Sequence, residues 1–344
     1  MKTKWTDCLE VIRQAKSVAL FAHRNADGDA LGSLYALAVA LSRGGKDVCV
    51  FTEEIFDEKL SFLVSENVRT VFLEKDETGG VRDKNALGIA LDCADAERMS
   101  PLCREVFDAC SYKIKIDHHL PGEHADFADI NIADPSWAAT AEGLYELLSL
   151  YCDGRAVPLM DREIAIRLYT GILTDTGRFI YSNTTGNTLR TAAALVDITG
   201  SDLTWIARSL FDIKTPRAAR ILAAAYEKAE FLLGGKVVFL WLTPADFERA
   251  GADLSDAEAI VSTLLNLERA EVSVFAKPQV LPAGADAAET EEIYKISARS
   301  TEQHNVAAFC ARFGGGGHKC AAGCNFTGSA ELLKQAVISE FCQD

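Results

Sequence analysis

The sequence predicts an α/β protein: an N-terminal, largely parallel sheet with helices on both faces, a helical connection, and a smaller C-terminal α/β part. Three observations carry this. Short apolar runs alternate with longer helical patterns through the first half of the chain, as in a sheet whose two faces are both covered. From Thr185 to Phe231 the pattern is mostly helical, and β-like runs then return at Lys236–Leu242, Glu271–Lys277 and Ile293–Ala298. The 344 residues, 49% hydrophobic and 25% charged, are enough for about two domains at roughly 150 residues each.

In chain order, Ser17–Ala22 (SVALFA) reads as a strand, HRNADGD as a turn-like loop, and Asp29 to Arg43 as a helix closed by Gly44-Gly45. Val48–Thr52, Val71–Leu73, Leu87–Leu91 and Tyr112–Ile116 are further strands, and Ala94–Ala109, Ala138–Tyr151 and Arg162–Leu173 are helical stretches. The connection falls within TLRTAAALVDI, LTWIARSLF and RAARILAAAYEKAEFLL. Between the last two β-like runs, PQVLPAGADAAETEE is rich in Pro, Ala and acid without a sustained period, and is expected to be an exposed, mobile loop.

Composition excludes several classes of function. No apolar stretch approaches the ~20 residues that span a bilayer, so neither a transmembrane helix nor a membrane partner is expected. Charge interrupts every apolar cluster of MKTKWTDCLEVIRQAK, which disfavours a signal peptide and points to a cytoplasmic protein. The ten cysteines form no C-x-x-C pair and are expected to be reduced and mostly buried. Lys+Arg 35 against Asp+Glu 50 gives a formal charge of −15, the wrong sign for gripping a long duplex, though compatible with a short nucleotide held by a few placed cations.

Four motifs carry chemistry. His23-Arg-Asn-Ala-Asp27-Gly28-Asp29 follows a predicted strand and precedes a helix, at the carboxyl end where α/β sheets bind ligands. His23 and Asp27 could meet one cation while Asp29 faces a second; the plainer reading is that Asp29 caps the helix and Asp27 shapes the turn. Leu87-Gly-Ile-Ala-Leu-Asp92-Cys-Ala-Asp95 is again an apolar strand ending in carboxylates, and Lys113-Ile-Lys-Ile-Asp117-His118-His119 repeats the placement with adjacent imidazoles. Gly171-Ile-Leu-Thr-Asp175-Thr-Gly177 adds an acid flanked by small residues after a helical stretch. Each motif alone is unremarkable. Together they place acid or acid/His clusters at four segment ends, with three of the six histidines of the chain among them. Such a set suits Mn²⁺ or Mg²⁺, and the absence of cysteine speaks against structural zinc.

This set, HxxxDGD, LDCAD, DHH and GILTDTG, resembles motifs I to IV of the DHH phosphoesterase superfamily, over residues 1 to about 200. Near the other end, Lys295-Ile-Ser-Ala-Arg-Ser300 and Gly314-Gly-Gly-Gly-His318-Lys-Cys-Ala-Ala-Gly323 resemble the DHHA1 domain, and within the group the chain is most similar to the nanoRNase/pAp phosphatases. Two departures, Asn25-Ala26 where a proline is common and Ala298 where a larger apolar residue is usual, fall at positions not expected to supply ligands.

The resemblance implies a DHH catalytic domain at residues 1–200, a helical connection at 201–234 and a DHHA1 substrate-binding domain at 235–344. It also implies two divalent cations, Mn²⁺ before Mg²⁺ or Co²⁺. His23, Asp27 and Asp92 would hold one ion, and Asp29, Asp92, His118 and Asp175 the other, with Asp92 as bridge. His119 would contact the phosphoryl group and Asp117 would orient the histidine pair. Arg299, with Ser300 and the run Gly314, Gly315, Gly316, Gly317 and His318, would grip the rest of the nucleotide across a cleft between the domains. The bare glycine backbone would let a phosphate or base approach, aided by the dipole of a helix expected to start near His318. His124 and His304 lack such context and read as surface residues.

The expected activity is hydrolysis of short oligoribonucleotides, of 3'-phosphoadenosine 5'-phosphate (pAp), or of both, by a metal-activated water. A cyclic di-AMP or linear dinucleotide phosphodiesterase is the alternative among enzymes, and an inactive nucleotide sensor the alternative of another class. A homodimer is one expected assembly.

Overall fold

The computed structural model describes residues 4–53, 56–73, 86–122, 124–152, 160–200, 203–280 and 293–342. They divide into two compact units, Met1–Ile213 and Lys214–Asp344. In the first, α1 (Thr6–Gln14), β1 (Ser17–Ala22), α2 (Gly28–Arg43), β2 (Asp47–Thr52), β3 (Arg69–Phe72), β4 (Leu87–Leu91), α3 (Pro101–Asp108), β5 (Tyr112–Asp117) and β6 (Ile130–Ala133) precede a helical run. That run is α4 (Thr140–Cys152), α5 (Arg162–Asp175), α6 (Gly186–Thr199) and the short α7 (Thr204–Ala207).

All six strands of this unit are parallel, in the order β3-β2-β1-β4-β5-β6. The order reverses between β1 and β4, so the loops leaving these two neighbours diverge to opposite faces and leave a crevice at their carboxyl ends. The loops after β1 and β4 begin with the first two motifs, and the DHH string ends β5 alongside. β4 (LGIAL) is buried at every position, as a central strand covered on both faces must be. One face carries a core built from Leu20, Ile89 and Ile114 against α2, α4 and α5; the other packs Phe21 and Ala90 against Cys103, Val106 and Phe107 of α3. The predicted doubly covered sheet is thus present.

Several predicted boundaries change for local reasons. The helix expected over Ala94–Ala109 is a three-residue 3₁₀ turn, Ala96–Arg98, capped by Asp95, followed by α3 starting at Pro101. Proline disfavours helical geometry at the residue before it, so Ser100 is extended and the two pieces cannot fuse. β6 is only four residues (INIA) among polar neighbours, too short for periodicity to reveal. Nine cysteines are described, all free, six of them buried.

The second unit contains α8 (Pro216–Lys228), β7 (Glu230–Leu232), β8 (Val237–Trp241), α9 (Pro244–Ala250), α10 (Ile260–Leu265), β9 (Val272–Pro278), β10 (Ile293–Ser300), α11 (Val306–Ala311), β11 (Gly316–His318), β12 (Ala321–Thr327) and α12 (Ala330–Phe341). Its sheet is mixed, in the order β11-β12-β10-β9-β8-β7, with β8 and β9 parallel and the other pairs antiparallel. One face packs on α11 and α12, the other on α8, α9 and α10. The acidic loop expected between β9 and β10 falls mainly at 281–292, outside the described residues.

Two expectations for this unit are corrected. No helix starts near His318: Gly316–His318 is an edge strand that hairpins onto β12, with Gly317 opposite Ala322. Gly317 has φ +143, and a Cβ there would stand 2.5 Å from the Ala321 carbonyl oxygen, so the glycine serves a tight strand pairing. His304 is not a surface residue: it is 6% exposed, its Nε2 lies 2.9 Å from Glu271 Oε2, and its ring packs edge-on against Phe341. His124 is exposed, as expected.

Candidate metal centre at the carboxyl ends of the strands

Asp27 ends the β1 loop and caps α2, its Oδ1 accepting the N–H groups of Asp29 and Ala30 at 3.0 Å each. Of the two plainer roles weighed from sequence, the cap belongs to Asp27. Its other oxygen lies 4.0 Å from Nε2 of His23. The His23 ring has Nδ1 2.8 Å from the Arg24 carbonyl oxygen, where an N–H donates, so Nε2 is the nitrogen turned to Asp27 and Asp92. Burial works to lower the pKa of the metal-free ring, but the contact with Asp92 and the Asp92 and Asp27 charges raise it.

Asp92 is the centre of the arrangement. It is 2% exposed and adopts φ +58, a left-handed conformation that non-glycine residues rarely take. Its own N–H donates to the Ile116 carbonyl at 3.0 Å, which fixes this geometry against β5. One carboxylate oxygen is 3.4 Å from His23 Nε2; the other is 3.4 Å from His118 Nε2, 3.7 Å from His119 Nδ1, and accepts the Thr140 hydroxyl at 3.0 Å. His118 Nε2 also lies 3.2 Å from Asp175 at the end of α5.

Asp29, one residue into α2, is fully buried. Its carboxylate accepts the N–H of Thr140 at 2.6 Å, the N–H of Ala141 at 2.9 Å and the Ser33 hydroxyl at 3.2 Å, so it sits at the N-terminus of α4. Close packing of α5 brings the fourth motif to this point: a Cβ on Gly171 would lie 2.6 Å from Asp29 Oδ1 and 2.8 Å from the Ala141 Cβ. Only glycine lets the two helices meet here.

Asp117 accepts from His119 Nδ1 at 2.8 Å, and its other oxygen is 3.3 Å from Nζ of the buried Lys115, which also donates to the carbonyls of Ala94 and Ala125. Asp117 therefore holds His119, while His118 is held by Asp92 and Asp175. Burial alone would raise Asp117, but the His119 hydrogen bond and the His119 and Lys115 charges hold it down at about 2.

The electrostatics of the cluster are strained. Burial, Asp92 and Asp175 push Asp29 well above the carboxylate range, and burial raises Asp175 to about 6. Burial works to lower His118, but Asp175, Asp29 and Asp92 overcome it and raise its pKa to about 10. Donor atoms fall into three overlapping groups, each within 4.8 Å: His23, Asp27 and Asp92; Asp29, His118 and Asp175; and Asp92, His118 and His119. These are carboxylates and imidazoles without a thiolate, a donor set that fits hard or borderline divalent cations, and a cation would relieve the crowding of negative charge.

The structure brings His23, Asp27, Asp29, Asp92, Asp117, His118, His119 and Asp175 into this one cluster. Arg299, Ser300, Gly314 to Gly317 and His318 lie in the second unit, on β10 and around β11. Arg299 pairs with Ala321, which pairs with His318, so the three share one row of the sheet. Ser300, next along β10, is buried on the opposite face, its hydroxyl donating to the His304 carbonyl at 3.2 Å. Its side chain therefore serves the interior and not the row of Arg299. Sequence reasoning missed Thr140, Lys115 and Asn183, whose Nδ2 donates to the carbonyls of Asp175 and Ala138 at 3.1 Å each. Only Thr140 had a local signal, as a threonine opening a helix.

Residues 17–172 match the DHH family, N-terminal domain, and residues 234–343 match the DHHA1 domain. The chain is 32% identical over 320 residues to the bifunctional oligoribonuclease and PAP phosphatase NrnA of Thermus thermophilus, covering 93% of this chain and 87% of that protein. It is 27% identical to the protein of the same description from Bacillus subtilis, covering 92% of each. Among solved structures, an exopolyphosphatase-related protein from Bacteroides fragilis superposes with a TM-score of 0.83 at 24% identity, covering 98% of this chain and 96% of that one. That likeness shows the two-part fold.

Proposed function

The chain belongs to the DHH family, with a DHHA1 domain behind it, and from that premise we propose that it is a metal-dependent phosphoesterase acting on short oligoribonucleotides and pAp. The observation that carries this reading is Asp92, a buried carboxylate in a left-handed backbone conformation with one imidazole at 3.4 Å from each of its oxygens. Relatives that align over nearly their whole length and are named oligoribonuclease and PAP phosphatase support the substrate class.

In this reading His23, Asp27 and Asp92 hold one divalent cation, and Asp29, Asp92, His118 and Asp175 hold another, with Mn²⁺ preferred over Mg²⁺ or Co²⁺. Two such cations, when bound, supply an acidified water and neutralise charge on the phosphoryl oxygens. The chain's own residues do the rest. The Arg24 carbonyl fixes the His23 tautomer. Asp117 holds the His119 ring through its Nδ1–H, so that with Nε2 also protonated the Nε2–H donates to a phosphoryl oxygen. The balance is simple hydrolysis: water oxygen bonds to phosphorus, the ester P–O bond breaks, and the alcohol leaves with a proton.

The boundaries 1–200, 201–234 and 235–344 assign chemistry to the first part and nucleotide grip to the last. Arg299, whose guanidinium can fork onto a phosphate, and the glycine run to His318 take the remote end of the nucleotide. Ser300 is left out of the grip because its hydroxyl is turned inward. The formal charge of −15 supports short substrates over long duplexes. Among the described residues no helix is long and apolar enough to cross a membrane, which is compatible with cytoplasmic action.

The test is a panel of pAp, RNAs of a few nucleotides, cyclic di-AMP and pyrophosphate under identical Mn²⁺ conditions. Phosphate release from pAp and mononucleotides from short RNA are expected. Hydrolysis of pyrophosphate alone, or of nothing in the panel, overturns the reading.

A further inference from the structure

Past Asp175 the chain makes a tight turn that brings Phe179 back against Tyr169 of α5. Gly177, Arg178 and Phe179 have φ of +53, +66 and +65, three left-handed residues in succession, two of them with side chains. Such a conformation is strained for a non-glycine residue, and strain of this kind persists where the surroundings hold it in place. Here they do. The Arg178 N–H donates to the Leu173 carbonyl at 2.8 Å, the N–H groups of Ile180 and Tyr181 both donate to the Thr176 carbonyl at 3.0 Å, and Phe179 packs against the core.

The turn delivers Ile180 and Tyr181 to the surface, 72% and 58% exposed. Tyr181 is nevertheless fixed: a Cβ on Gly177 would fall 2.4–2.6 Å from three of its ring carbons, so the ring rests against the bare glycine two residues from Asp175. Two residues further on, Asn183 ties the segment to the carbonyls of Asp175 and Ala138. An aromatic ring that is backed by backbone on one side, open on another, and anchored at both ends to a residue of the metal cluster has the properties of a stacking platform.

We propose that Tyr181 stacks on the nucleobase next to the phosphate undergoing hydrolysis, and so sets the preference of the site for nucleotides over simple phosphoesters. The proposal rests on the phosphoesterase reading above. Stacking uses the π-face that every base has, so this contact favours nucleotides in general and no base in particular.

The experiment compares a dinucleotide with its counterpart lacking the base beside the scissile phosphate, using the metal-loaded full chain. Wild type should favour the base-bearing substrate. Tyr181→Ala should narrow the difference in KM between the two by on the order of tenfold, and Tyr181→Phe and Tyr181→Trp should restore it. Equal loss on both substrates, or no change on either, overturns the proposal. Calorimetry of a phosphorothioate-linked dinucleotide gives a second arm. Binding should weaken in Tyr181→Ala by the same factor and recover in Tyr181→Phe, and unchanged binding also overturns the proposal. Were wild type to hydrolyse no nucleotide, the functional reading would fall, while the calorimetric comparison would still decide whether Tyr181 stacks.

Discussion

The carboxylate of Asp29 accepts the backbone N–H of Thr140, 111 positions away, at 2.6 Å, and that of Ala141 at 2.9 Å. A residue from the first motif therefore caps the helix that closes the far side of the cluster. Thr140 returns the connection through its hydroxyl, which reaches Asp92 at 3.0 Å. The metal cluster and the α2–α4 contact are consequently one structure.

Asp29→Ala should thus lower both metal content and the stability of the metal-free protein, and should cost more stability than Asp175→Ala, which removes a partner of His118 but leaves no buried backbone N–H without its acceptor. Two buried N–H groups lose their acceptor in the first variant, at a cost of roughly 1–3 kcal/mol each. Relief of repulsion does not offset this, because the raised pKa of Asp29 already favours its neutral form without a cation. Urea unfolding in the presence of a chelator checks the difference, and equal midpoints for the two variants would refute it.

Asp92→Ala should abolish activity and lower bound metal by more than loss of a single-ion ligand, because one Asp92 oxygen faces His23 and the other faces His118. Asp27→Ala, at a half-exposed carboxylate in one group only, should leave one ion per chain. Metal analysis of the purified variants distinguishes them; two ions retained in Asp92→Ala would contradict the shared role.

Metal uptake at neutral pH should release about one proton from His118, whose pKa is raised from 6.5 to about 10 before a cation binds. The sign for stability follows. A raised imidazole stabilises the metal-free fold fully below pH 6.5, and that contribution is lost as pH rises through about 10. The metal-free protein should therefore lose thermal stability across this window, and the metal-loaded protein should not. Calorimetry in buffers of different ionisation enthalpy measures the proton release, and His118→Gln should lower it by about one proton.

Much of this arrangement was legible in the chain. Apolar runs such as SVALFA and LGIAL are short, β-rich and followed by acids, so strand and loop could be assigned locally, and β4 coincides with its predicted range. The helix near His318 and the surface position of His304 were misread for one reason: both depend on what lies opposite. Gly317 is shaped by Ala321 and Ala322 across a hairpin, and His304 by Glu271, 33 residues away.

The sequence by itself determined which residue types stand at the strand ends, because alternation of apolar and helical periods is a local property and carries its punctuation with it. Only the tertiary structure decided how those residues divide their work. Parallel strands fix their order through crossovers that no local pattern encodes. It is that order, β1 beside β4 beside β5, that sets Asp92 between His23 and His118 and puts Asp29 under the N-terminus of α4.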